Sequence, residues 1–427
     1  MSGTPIDAER VRDAVAALED VAVERLATLV RRDSRLGREA EAQALVATWF
    51  DTLGLGVEHV KIDVDALRGR PGFSPPVMDY DGRENVVGVH RPAGPADGRS
   101  LILNGHVDVV PPGPADLWTH PPFEPTVRDG RMYGRGAGDM KAGIVAYTTA
   151  FEALRTLGLE PAAPVYLQSV VEEECTGNGA LACLAAGYTA DAAIIPEPFA
   201  QDLMIAQVGV MWARLTVSGR PAHVLDTAAG VNAIDAAYRL CGHLRERVER
   251  WNEPALRHPA WRDHPHPLNF NLGRIEGGDW TSTVPPRATV DVRVGFFPGT
   301  ALPDVRADLE RTVAEALARD PQLAGAHAEL TWRGFQAEGA EMDPAHPMMT
   351  LLADVHERVC GAAPGHLAST ATTDARFFQL YGSTPATCYG PEADAIHGID
   401  ESVSLDGMMQ VATVLALFMT EWCGVND

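Results

Sequence analysis

The sequence predicts an α/β protein: a central mixed sheet flanked by helices, with a ferredoxin-like α+β unit inserted into it. Short, wholly apolar runs such as Leu101-Ile102-Leu103 alternate with helical stretches, the pattern of strands buried on both faces. These runs end in Gly, Pro and acidic residues, where open α/β sheets place their ligands. Composition then changes near residue 205, and strand-helix-strand-strand-helix-strand replaces the alternation until about 340. The 427 residues suffice for two domains. The expected division is 1–204 and 339–427 for the larger unit and 205–338 for the insertion.

Residues 7–32 carry apolar side chains at helical spacing (Val11, Val15, Leu18, Leu26, Leu29), with Asp7 as N-cap. A second helix is expected over 37–53 and a strand over 57–64. A Pro/Gly-rich excursion spans 65–84, and Asn85–Val89 and Ser100–Val110 read as neighbouring strands. Asp129-Gly130 within Val127–Tyr133 signals a hairpin. A glycine-rich loop, Gly134 to Gly143, opens a helix of about 17 residues that ends at Gly158. It lacks both the Walker ending and a Rossmann context. The glycines instead let the backbone bend sharply and present Asp139. Val165–Val171 and Ala192–Ile195 are strands. In the insertion, strands are expected at 207–218, 268–275, 288–297 and 327–333, with helices at 230–250 and 301–319. Residues 251–267 form a Trp/Pro/His-rich excursion. Helices at 347–360, 374–381 and 405–422 and strands at 366–369 and 386–389 complete the chain.

A formal charge of −23, without any Lys/Arg-rich run, argues against nucleic acid and against an anionic membrane surface. The six cysteines form no Cys-x-x-Cys pair and read as reduced core residues of a cytoplasmic protein. No basic n-region precedes an apolar h-region, and no stretch reaches the roughly 18 apolar residues of a membrane span.

Five side chains at the ends of separate strands or loops carry the chemistry: His106, Asp139, Glu174, Glu197 and His397. In an extended backbone His106 and Asp108 point the same way, so the Asp108 carboxylate is expected to take the second imidazole N–H. Glu197 is stiffened between Pro196 and Pro198. An N/O set without thiolate suits zinc, with cobalt or manganese able to occupy it. Five ligands exceed what one catalytic zinc uses and fit two metals sharing a carboxylate and a water.

These stretches resemble the di-zinc aminoacylase/carboxypeptidase family, which includes acetylornithine deacetylase and succinyl-diaminopimelate desuccinylase. The matching segments are Gly105–Pro111, Trp118–Phe123, Tyr133–Lys141, Glu172-Glu173-Glu174 with Gly179, Glu197-Pro198, Gly219–His223 and His397. The resemblance implies that Asp139 bridges two Zn2+ (Co2+ or Mn2+ in their place). His106 and Glu197 would hold one ion, Glu174 and His397 the other. Glu173 would be the general base, Asp108 the partner of His106, and Glu172 would fill the family's Asp slot. It further implies a lid domain that pairs two subunits into a homodimer, with His223 stabilising the oxyanion in the partner's site. Arg376, and more weakly Arg293, would hold the free carboxylate of a small-molecule substrate. Ser282 stands three residues before Pro285 where many members have Asn. The implied activity is amide cleavage of an N-acyl amino acid by a metal-activated hydroxide, in the manner of acetylornithine deacetylase. A dipeptidase or carboxypeptidase, or a hydrolase of a non-peptidic C–N bond, would use the same machinery.

Overall fold

The protein is described by a computed structural model covering residues 8–94 and 98–426; Asp7, the expected N-cap, lies outside the described residues. The main sheet contains β1 (Gly56–Lys61), β2 (Glu84–His90), β3 (Leu101–His106), β4 (Val165–Val170) and β5 (Ala193–Ile195). The inserted sheet contains β6 (Gly209–Ser218), β7 (Phe270–Gly277), β8 (Arg287–Phe296) and β9 (His327–Ala337), and β10 (Ala386–Cys388) returns to the main sheet. The main sheet runs β1-β2-β4-β3-β5-β10. Its first three strands pair antiparallel, and β3, β5 and β10 continue in parallel with β4.

β2 and β3 are therefore not neighbours, contrary to the sequence expectation, because β4 lies between them. The chain leaves β3, crosses over the helix Ala142–Thr156 and returns as β4 alongside it. With parallel partners on both sides, every residue of β3 is buried, which is why its sequence shows no polar alternation. The helix Leu405–Trp422 packs on Ala142–Thr156 and completes the larger core.

The helix expected over 7–32 is two, Ala8–Ala16 and Glu19–Val30. At the break Leu18 N–H bonds the carbonyl of Val15 instead of continuing the regular ladder. The strand expected over 207–218 also divides. Leu203–Gln207 pairs with His366–Ser369 and Ala340–Glu341 in a separate sheet, and β6 begins only at Gly209. The chain thus enters and leaves the inserted unit side by side, with Ala340 opposite Gln207.

The inserted sheet has the order β7-β8-β6-β9, all antiparallel, the ferredoxin-like arrangement expected. Helices Ala233–Trp251 and Leu302–Arg319 touch each other and cover one face of it, closing a second core. Trp261, from the Trp/Pro/His-rich excursion, is buried in that core and meets Phe297 with the rings tilted. No helix among the described residues is long and apolar enough to cross a membrane.

Candidate active site

His106 ends β3 at the carboxyl edge of the parallel strands and is 1% exposed. Its Nδ1 donates to the main-chain carbonyl of Asp108 at 2.9 Å. This corrects the expectation that the Asp108 carboxylate takes that proton, since its nearest oxygen is 3.7 Å from the ring. The carboxylate instead accepts the N–H groups of Glu173 and Glu174, at 3.3 and 3.2 Å, and so fixes the turn after β4. A carbonyl can only accept, so Nδ1 carries a proton and a neutral ring keeps its lone pair on Nε2. Nε2 faces Asp139 at 3.3 Å, Glu197 at 3.8 Å and Glu173 at 3.9 Å.

Asp139 occupies the centre. Its Oδ1 faces His106, while its Oδ2 lies 3.2 Å from Nε2 of His397. His397, on a loop residue with φ of +61°, also meets Glu174 at 3.0 Å. The loop presenting Asp139 needs glycine at 136, where φ is +79° and a Cβ would come within 2.4 Å of Val109 Cγ1.

Glu401, four residues beyond His397, fastens that loop. Its Oε1 accepts from the N–H groups of Gly138 and Asp139 (2.9 and 3.0 Å), and its Oε2 accepts from Gly136 N–H and Arg135. Arg135 also donates to Gly398 O at 2.7 Å, and Thr119 bonds both carboxylate oxygens of Asp400. The Trp118–Phe123 segment therefore braces the loop that carries His397. Sequence reasoning missed Glu401. The signal was an acid four residues from a candidate ligand, in the same loop that begins Gly390-Pro391.

The three consecutive glutamates part company. Glu172 has φ of +69° and turns into the protein, where it meets Arg83 at 2.8 Å and accepts from Tyr80 and Thr176. Arg83 is held from its other side by Glu39. Glu173 and Glu174 face the cluster. Donor atoms of His106, Glu173 and Glu197 lie within 4.8 Å of one another, as do those of His106, Asp139 and Glu174.

The electrostatics of the bare cluster are those of a site short of positive charge. Burial pushes the carboxyls of Glu173 and Glu197 well up; His106 pulls against it, while neighbouring carboxylates, Asp374 first for Glu173 and Asp139 first for Glu197, add to it. Burial alone would raise Asp139 too, but the two imidazoles hold it far below the usual carboxylate range. His397 is pushed up to about 11, chiefly by Glu174. His106 Nε2 and Glu173 Oε1 are buried without any hydrogen-bond partner among the described residues. Unpartnered nitrogen and oxygen donors converging with surplus acids fit divalent cations. Asp374, also unforeseen, is buried nearby with neither oxygen bonded among the described residues, its carboxyl raised to about 6 by burial.

A cavity of about 450 Å3 opens from Glu173, Glu174 and His397 to the inserted sheet, and Arg293 lines it. Arg376 does not. It is buried behind the wall, donates to the carbonyls of Thr373 and Thr176 and stacks 4.1 Å from the Phe377 ring centre. Its donors are taken up by those carbonyls and by Thr372 Oγ1, so the order of the two arginines expected from sequence is reversed in their access to the cavity. His223 does not line the cavity either; it is exposed, and its Nδ1 accepts from Leu225 N–H.

The Peptidase family M20/M25/M40 model matches residues 102–421, a span that runs from the strand bearing His106 past the loop bearing His397. The chain belongs to this family. It is a metallohydrolase of amide C–N bonds. It is 30% identical over 373 residues to an N-formyl-4-amino-5-aminomethyl-2-methylpyrimidine deformylase of Bacillus subtilis (strain 168), covering 82% of this chain and 86% of the relative. It is 28% identical over 432 residues to a succinyl-diaminopimelate desuccinylase of Thiobacillus denitrificans, covering 98% of each. Among solved structures, the di-peptidase Dug1p of Saccharomyces cerevisiae superposes with a TM-score of 0.83 at 13% identity, over 99% of this chain and 100% of that one. The likeness to Dug1p is one of fold, a catalytic α/β unit with an inserted lid.

Proposed function

We propose that this M20 member is a deacylase that removes the acyl group from an N-acyl amino acid, using two divalent cations, zinc by preference and cobalt or manganese as substitutes. The observation that carries the reading is Asp139, whose two oxygens each face one imidazole while Glu173 keeps a buried oxygen unpartnered beside them. Asp139 would be shared by both ions, with His106 and Glu197 on one side and Glu174 and His397 on the other. When bound, such ions lower the pKa of a water from 15.7 toward about 7 and polarise the carbonyl. Glu173 takes the proton released as water attacks the amide carbon, then gives it to the leaving amine. Asp108 holds the Glu173–Glu174 turn and, through its carbonyl, the His106 tautomer. Arg293 faces the free carboxylate, and Arg376 stiffens the wall behind it.

The lid, 205–338, would pair two copies. Tyr238 and Ile275, on its outer helix and edge strand, are 67% and 48% exposed. His223 of one copy would then stabilise the oxyanion in the other. The cysteines, free among the described residues, support a cytoplasmic setting.

The test is metal analysis together with a panel of N-acetyl amino acids, succinylated and formylated amines and dipeptides on zinc- and cobalt-loaded enzyme. About two ions per chain and the highest kcat/KM on an N-acyl amino acid are expected. Preference for dipeptides or for a non-peptidic amide would overturn the deacylase reading. Co-expressing His223→Ala with Glu173→Gln chains checks the role in trans. Hybrid dimers contain one intact site and regain activity only if His223 serves the opposite copy.

A further inference from the structure

Across the cavity from the acids, the inserted sheet is irregular in two places, between Leu272 and Arg274 against β8 and around Trp212 against β9, and both line the site. In the pairing of β6 with β9, Met211 stands opposite Gln336 and Ala213 opposite Trp332. Trp212 is therefore set against three residues, Arg333, Gly334 and Phe335. Bulges of this kind re-aim side chains and cluster beside active sites. Here Trp212, Arg333 and Phe335 all line the cavity that begins at Glu173 and His397.

The indole is held in place. Phe335 meets it edge-on, with ring centres 5.2 Å apart and planes at 90°. Gly334 has φ of +59°, and a Cβ there would come within 2.5 Å of Trp212 Cε3, so the absent side chain is what seats the ring. Gln336 Nε2 donates to the Trp212 carbonyl at 3.1 Å.

Charge is arranged beside this wall. Arg293 donates only to carbonyls, Asn269 O at 3.4 Å and Thr370 O at 3.0 Å. The Arg333 side chain makes no hydrogen bond or ion pair among the described residues and acts on Asp291 through space. Asp291, the lid carboxylate of the cavity, is already gripped by Arg214 at 2.7 and 2.8 Å. Two guanidinium groups thus face the cavity without a carboxylate bonded to either.

We propose that Trp212 and Phe335, with Arg293 and Arg333, form a subsite that selects amides whose leaving amine carries both a planar ring and a carboxylate: N-acylated aromatic amino acids. The inference deepens the deacylase reading and rests on it. A ring lying on Trp212 keeps its carboxylate within the reach of the arginines and its amide toward Glu173.

The experiment compares kcat/KM of the metal-loaded full chain on N-acetyltryptophan, N-acetylphenylalanine, N-acetylalanine and benzoylglycine. The aromatic N-acetyl amino acids should exceed N-acetylalanine by about 10- to 100-fold, the range an apolar pocket discriminates. Trp212→Leu should bring that ratio near one, and Trp212→Phe should restore most of it. Arg333→Gln should reduce the preference for N-acetylphenylalanine over its carboxamide. A wild-type ratio near one, or a ratio unmoved in Trp212→Leu, overturns the subsite while leaving deacylation intact. Faster benzoylglycine cleavage would put the ring on the acyl side and overturn it as well. If none of these amides turns over, calorimetric binding of N-acetyltryptophan against N-acetylalanine to Glu173→Gln decides the subsite independently of the reaction.

Discussion

The two imidazoles of the cluster sit on the same carboxylate, yet their surroundings are opposite. The His106 side chain is 1% exposed and fixed by a strand between two parallel neighbours. The His397 side chain is 51% exposed and rides on a loop in left-handed backbone geometry. Around His106 lie Glu173 and Glu197, both buried; around His397 lies the mouth of the cavity. The sheet thus supplies a dry, rigid half in which charges act strongly on one another, and the loop supplies a half that opens on the cavity. What fixes the open half is its tether: Glu401 joins the His397 loop to the Asp139 loop by four hydrogen bonds, so an exposed imidazole is positioned by a buried acid.

The largest effect expected belongs to the buried half. Glu173→Gln preserves shape and removes the proposed proton acceptor, so turnover should fall by about 100- to 10,000-fold with metal content unchanged. Near wild-type turnover in that variant would move the base elsewhere. Next come the two histidines. His106→Ala should lose both ions and lower the melting temperature, because buried carboxylates are left facing one another. His397→Ala should retain close to one ion per chain. Equal metal loss in the two variants would erase the distinction between the halves. The smallest effect is expected for Glu401→Gln, which keeps the volume and weakens the tether. Removing such supporting partners costs about 10- to 100-fold in metal affinity. Titration with zinc should show that loss confined to one of two binding steps, and an unchanged isotherm would reduce Glu401 to a loop anchor.

The local periodicities made most elements legible. The helices Pro347–Cys360 and Leu405–Trp422 and the strand His366–Ser369 begin and end where their apolar spacing does. Errors fell where distant segments decide. The placement of β4 between β2 and β3 depends on a crossover, and adjacency in sequence says nothing about it. The division at Val208 depends on Ser369, whose carbonyl bonds the Val208 N–H and ends the first strand. Arg376 and Arg293 look alike as arginines after an acid, and only packing puts one behind the wall and the other in the cavity.

The chain by itself determined which donor atoms are available and that they lie at the ends of buried strands, because burial on both faces writes itself as unbroken apolar runs followed by acids. The resemblance sets Glu172 apart from Glu173 and Glu174, but tertiary structure alone decided that it turns inward. That choice rests on Arg83 and Tyr80, some 90 residues earlier, which draw Glu172 out of the cluster. It also decided the shape of the opposing wall, because a register slip between β6 and β9 is a relation between strands more than 100 residues apart.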